Sequence, residues 1–241
     1  MENSTYVGVS ALLALEKRVA TIAHNVANTS TTGFRAEEVK FETVLSETGS
    51  IEVAYASTGE TFLARQSGPI TETGNPLDVA VKGNAWMAVS SPNGQVYTRD
   101  GRLMMAADGA LQTVTGFPVL DVGGSPIQLD PNDGPPKIAA DGMVTQGGNQ
   151  VGAIGLFRLP DEAQLTRYEN SAVASSLEAQ PVLSFNDTGI AQGYLEGSNV
   201  NPVLEMTRLI SVSRAFNAVM SSIESNTSTQ KAAIRTLGSA N

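Results

Sequence analysis

Residues 201–238 read NPVLEMTRLISVSRAFNAVMSSIESNTSTQKAAIRTLG, and the reading of this stretch decides the fold. Asn201 can cap a helix, and Pro202 suits the first helical position, where a missing N–H costs nothing. Gly238 fits the left-handed residue after a last turn, with Lys231 and Arg235 placed to favour the negative helix end. Neither Pro nor Gly lies between Val203 and Leu237, so the spacing predicts one rod of roughly 50 Å at about 1.5 Å per residue. Met206, Ser213, Met220, Thr227 and Ile234 fall on one heptad position, and Leu209, Phe216, Ile223, Gln230 and Leu237 fall three residues later. Apolar residues on two such positions form a coiled-coil seam, which lapses here at Ser213, Thr227 and Gln230. On the far side, Ser211, Ala215, Ala218, Ser221, Ser222, Ser225, Ser228 and Ala232 are small and uncharged, interrupted by Arg208, Arg214 and Arg235. A helix with its back in water usually carries more charge. The plain alternative is an undercharged surface helix; the pattern favours one that neighbours surround.

A second helix is expected over residues 5–28, where Leu12, Leu15, Val19, Ile22 and Val26 keep the same spacing without a lapse. The natural partner of this seam is the other one, in the same chain or in neighbouring copies. His24 sits off the seam with no second ligand nearby, so a surface or hydrogen-bonded role fits it better than metal binding.

The ends also differ from the middle in charge. Of the net −9 over 241 residues, positions 1–28 carry 0 and positions 202–241 carry +2, which leaves −11 between them. An acidic middle repels phosphate backbones and anionic lipid, which argues against nucleic-acid or membrane-surface binding. All 11 prolines lie between Pro69 and Pro202, so both ends are free to be long helices. At 41% hydrophobic residues the chain can bury a real core. No apolar run approaches the ~18 residues of a membrane span. The first twenty residues place Glu16, Lys17 and Arg18 inside their apolar part, a poor secretory signal. Without cysteine there is neither a disulfide framework nor a thiolate metal site.

Between the helices, residues 31–73 read as an extended, partly exposed linker with weak strand signals such as FETVL and TFLAR. Residues 74–197 read as a β-rich body. LDVAV and WMAVS have strand patterns, and Asn93-Gly94, Asp100-Gly101, Asp108-Gly109 and Asp141-Gly142 are two-residue hairpin signals. AADGALQT at 106–113 is echoed by AADGMVTQ at 139–146, consistent with repeated hairpins. Trp86 is expected in the core rather than in a binding site. The fold class is therefore α+β: paired N- and C-terminal coiled-coil helices, with the latter over 198–241 and the former within 1–30, and a central antiparallel β-barrel or sandwich-like domain.

Four segments carry a resemblance to a known family. HNVANTSTTGFR, with Asn25, Ala27, Asn28, Thr31, Gly33, Phe34 and Arg35 as the matching residues, resembles a signature of flagellar rod and hook proteins. TGNPLDVAVKGNAWMAV and YTRDGRLMMAADGALQTVTGFPVL are similar to that family's body segments, although Trp86-Met87 stands where two aromatic residues are usual. GYLEGSNVNPVLEMTRLISVSRAF is similar to the family's segment before the last helix, through Asn199, Val200, Asn201, Pro202, Glu205, Arg214, Ala215 and Phe216. Leu-Glu-Gly before Ser-Asn-Val-Asn-Pro, with the overall length, points to the proximal rod branch. The resemblance spans nearly the whole chain. It implies a structural subunit of the flagellar rod in the periplasmic space, exported through the flagellar export apparatus without a cleaved signal peptide. It also implies that paired terminal helices form an inner tube outside which the β domain packs, and that the partners are other rod proteins and further copies. The expected assembly interface joins the seam residues above, including Met206, Leu209, Phe216, Met220, Ile223, Ile234 and Leu237, to Asn28, Gly33, Phe34, Asn199 and Asn201. A distal rod or hook subunit is the alternative within the family, and a secreted binding module oligomerised by its helices is the alternative outside it.

Catalytic patterns are missing. There is no phosphate-binding Gly loop, no G-x-S-x-G and no H-E-x-x-H. Asp130-Pro131-Asn132-Asp133-Gly134 is out of step with a calcium loop, because its Gly comes one residue early and no Glu closes it; a turn is expected. No enzyme activity, cofactor or metal is expected.

Overall fold

The computed structural model describes residues 2–46, 53–57, 59–169 and 171–238. It divides into two compact units: α1 (Glu2–Ala27), Glu37–Phe62 and α2 (Pro202–Gly238) form one, and Asn28–Ala36 with Leu63–Val200 form the other.

In the helical unit, α2 runs without a break for 37 residues. Asn201 caps it, its Oδ1 accepting from the backbone N–H groups of Val203 at 3.1 Å and Leu204 at 3.2 Å. Glu205 follows in the first turn, where the positive helix end favours a carboxylate, and it pairs with Arg208 at 2.6 Å. Gly238 is the last helical residue and does not take the left-handed conformation expected of a terminator. The two helices pack antiparallel. A Cβ on Gly8 would lie 2.9 Å from the Ile223 side chain, and Ile22 near the end of α1 shares a cleft with Glu205 near the start of α2.

Half of the anticipated α2 seam turns inward. Leu209, Phe216 and Ile223 are half-buried, but their companions are Glu205, Val212 and Val219, each one residue before Met206, Ser213 and Met220. Those three stand exposed, as does Ile234. At the middle step this places Val212 inward instead of Ser213, which removes one lapse of the anticipated seam. The α1 seam residues Leu12, Leu15, Val19 and Val26 are half-buried and Ile22 is buried. The Leu237 side chain lies outside the described residues.

Residues 31–73, expected as an extended linker, instead contain paired strands. Glu37–Lys40 pairs with Glu60–Leu63, and Thr43–Ser46 pairs with Val53–Ala56. Ile70–Glu72 pairs with Tyr194–Glu196 in the body.

The body is antiparallel, and among the described residues no sheet closes into a barrel. Its largest sheet has six strands in the order Leu165–Tyr168, Ala172–Ser175, Gly94–Thr98, Trp86–Ser91, Leu156–Arg158 and Gln180–Pro181. Smaller sheets of two and three short strands accompany it. Strand Trp86–Ser91 is apolar on both faces because both are covered. Met87 and Val89 join a core with Leu111, Val144 and Leu156, while Trp86 and Ala88 join a second with Phe157 and Val173.

The turns explain much of the register. The echoed segments form the same hairpin twice: Ala106 N–H donates to Ala110 O and Gly109 N–H to Ala106 O, and Ala139 and Gly142 repeat this with Met143 and Ala139. Between Trp86–Ser91 and Gly94–Thr98 the two-residue loop is Pro92-Asn93, one residue earlier than Asn93-Gly94. Asp100-Gly101 makes no hairpin. Gly101 is needed because its backbone passes Val79 so closely that a Cβ would meet the Val79 carbonyl at 1.6 Å. Gly147-Gly148, not anticipated, forms another two-residue hairpin, with φ of +58° and +87° as a primed turn requires. Asp130 Oδ1 accepts from the Asn132 N–H at 2.9 Å, the turn expected of that segment.

Candidate assembly site

Two places gather the anticipated residues: a buried clasp in the body and the outward faces of the helices. The clasp is built where residues 28–36 and 193–200 lie together in the body. Gly33 N–H donates to Glu196 O at 2.8 Å, and Asn199 N–H donates to Phe34 O at 3.3 Å. Asn199 holds two strands with one amide, its Oδ1 accepting from Ala36 N–H at 2.7 Å and its Nδ2 donating to Gln66 O at 2.8 Å. Gly33 has a φ of +68°, and a Cβ there would meet Asp100 N at 2.4 Å. Only glycine fits both demands.

At its centre, the Glu196 carboxylate is fully buried between two guanidiniums that are each 1% exposed. Arg35 Nη1 lies 2.6 Å from Oε1 and Arg99 Nη1 lies 2.8 Å from Oε2. Gly68 N–H also donates to Oε1 at 2.9 Å. Arg99 donates further to Ser67 Oγ and to the carbonyls of Val81 and Gly83. Both guanidinium carbons stand 5.5 Å from the Trp86 ring centre, so the ring's electron-rich faces take part of the surplus positive charge. Arg35 Nε and Nη2 meet no acceptor among the described residues. Burial pushes its guanidinium below the ordinary range, and the neighbouring Arg99 adds to this, while Glu196 opposes both. With Phe34 at 0% exposure under the Arg167 guanidinium, Gly33 and Phe34 are consumed inside the subunit instead of presented at its surface. Sequence reasoning quoted Glu196 and Arg99 only inside family segments and gave neither a role of its own. The signal was there, since an acid beside apolar strand residues needs a partner when it is buried.

In the helical unit, Asn25 works as Asn199 does in the body. Its Nδ2 donates to Glu37 O and its Oδ1 accepts from Glu37 N–H, both at 2.8 Å. His24 lies 3.3 Å from the Glu37 carboxylate, in the hydrogen-bonded setting expected of it. Asn28 ends α1, with its Oδ1 accepting from the Thr31 hydroxyl at 3.0 Å. The outward faces are apolar to an unusual extent. Tyr6, Val9 and Leu13 of α1 and Val203, Leu204, Met206, Ile210, Met220 and Ile234 of α2 are all exposed. The small residues Ser211, Ala215, Ala218, Ser222 and Ser225 are exposed as well. Within the single chain these large apolar side chains remain in solvent.

Comparison with known proteins assigns the same segments. Family models described as flagella basal body rod protein, flagellar hook protein FlgE/F/G D1 domain and flagellar basal body rod FlgEFG protein C-terminal match residues 6–35, 80–146 and 191–236. The chain is 51% identical to the flagellar basal-body rod protein FlgF of Mesorhizobium japonicum, with 99% of each chain covered. Proteins of the same name are similar at 43% identity over 99% of each chain in Rhizobium meliloti and at 37% over 100% of each in Caulobacter vibrioides.

Proposed function

Since the chain belongs to the flagellar basal-body rod protein family, we propose that it is a structural subunit of the rod, in its proximal part. It polymerises through α1 and α2, its partners being copies of itself and other rod proteins. The observation that carries this reading is the double-faced character of the helices. Each buries one stripe in its own unit and still exposes a second row of large apolar residues, which a free monomer gains nothing by displaying. Packed in the rod, α1 and α2 continue as a coiled coil among neighbours. Export through the flagellar apparatus without a cleaved signal, and residence in the periplasmic span of the axis, follow from the same reading. Relatives named FlgF at 37–51% identity favour this branch over distal rod or hook subunits. A structural role, not a catalytic one, is what these relatives and the geometry support.

The test is direct. Purified basal bodies carrying a labelled copy of this chain should show density for the label on the proximal rod by electron microscopy. Label restricted to the hook or the distal rod would replace the reading with its alternative.

A further inference from the structure

A groove of about 320 Å³ runs along the helical unit between Leu15 and Arg18 of α1 and Thr207, Arg208, Ser211, Val212 and Ala215 of α2. Along it, α2 presents an exposed row spaced three and four residues apart: Leu204, Arg208, Ser211, Ala215 and Ala218. On the side of α1 turned away from Ile22, at about 100° per residue, stands a second row with the same spacing: Tyr6, Val9, Leu13, Glu16 and Ala20. Set antiparallel, the two rows match step for step. Tyr6 falls on Ala218, Val9 on Ala215, Leu13 on Ser211 and Ala20 on Leu204, so each large side chain meets a small one. Glu16 then falls on Arg208 and beside Arg18, which is exposed and forms no ion pair among the described residues. Arg208 is already paired with Glu205 at 2.6 Å, and Arg18 and Arg208 also line the adjoining cleft with Glu37, Glu38 and Glu205. The groove thus offers Arg18, with Arg208 beside it, where this register brings the Glu16 carboxylate.

We propose that the occupant of this groove is the outer row of α1 from a second copy of the chain, held in that register by Glu16 against Arg18 and Arg208. The inference rests on the rod reading and gives it a contact and a polarity. Because α1 and α2 of one chain are antiparallel, a partner α1 lying antiparallel to α2 runs the same way as the first α1. Donor row and acceptor groove are different surfaces, so the contact is head-to-tail and every copy points in one direction, as an open axial polymer requires.

The chain has no cysteine, which makes disulfide trapping clean. Basal bodies assembled from Leu13→Cys/Ser211→Cys chains should give a ladder of disulfide-linked multimers on mild oxidation, and neither single variant should. Adding Glu16→Arg should lower the ladder yield about two- to fivefold, and Arg18→Glu on top should recover it. Residues two apart on a helix do not face each other, so that recovery reports a contact between copies. Assembled basal bodies without a ladder, a ladder from Ser211→Cys alone, or one from Met206→Cys/Ser211→Cys in place of the first pair would each overturn the proposed occupant. If the chain is missing from basal bodies altogether, the rod reading itself falls.

Discussion

In the body, strand Trp86–Ser91 sends Met87 and Val89 to one core and Trp86 and Ala88 to another, none more than 2% exposed. In the helical unit, Leu209, Phe216 and Ile223 stay half-buried, and Val203, Met206 and Ile234 are 75%, 51% and 70% exposed. A sheet with both faces covered completes its burial within the chain, whereas a helix in a pair can hide only one stripe of its circumference. The body thus closes two cores around this strand, although Leu183 there is 84% exposed, while the helices keep a row of large apolar side chains in solvent. The body uses two arginines, a glutamate and a tryptophan to fix where residues 28–36 and 193–200 lie, while the helical unit buries Glu205 against Arg208 and leaves Arg18 exposed, without an ion pair among the described residues.

The contrast can be broken most forcefully at Glu196. Glu196→Ala leaves two buried guanidiniums facing each other, and should destabilise the body by about 3–5 kcal/mol. The single tryptophan, Trp86, sits inside the clasp and reports the melt by fluorescence. A variant body that melts like the parent would show that the triad does not hold these segments.

Phe216→Ala comes next. In a fully packed interface such a truncation costs about 3–5 kcal/mol, but Phe216 is only half-buried in the subunit. The isolated chain should lose well under that amount, Trp86 fluorescence should melt unchanged, and the main loss should be counted as fewer assembled rods. A large fall in the melting of the isolated chain with normal rods would place Phe216 in a monomer core.

Asn201→Ala removes both bonds from the α2 cap and should cost about 1 kcal/mol, seen as faster proteolysis of the first turn. Ala218→Glu should have the smallest effect on the isolated subunit, within about 0.5 kcal/mol, because Ala218 is exposed there. In the rod it would bury an unpaired carboxylate, costing roughly several kcal/mol at every contact, and cells should stop swimming. Motile cells with normal basal bodies would return this face of α2 to solvent.

The local features were legible in the sequence. Asn201-Pro202 marks the start of α2, the heptads give both helices, and Asp108-Gly109 and Asp141-Gly142 give their hairpins, because each depends on a few neighbouring residues and on backbone preferences they carry themselves. Which side of α2 turns inward was not legible. Met206 and Val212 are both apolar, and only the position of α1, with Gly8 against Ile223, selects the Val212 side. Nor was the use of Gly101, which looks like a turn and serves instead to let its backbone pass Val79. The motif residues Gly33, Phe34 and Arg35 were visible as a pattern, but their burial follows from Arg99 and Glu196, which lie 64 or more positions away along the chain. A sequence specifies what each segment can do alone; which of two apolar faces is hidden, and which charge is buried, is settled by contacts that exist only after distant segments have met.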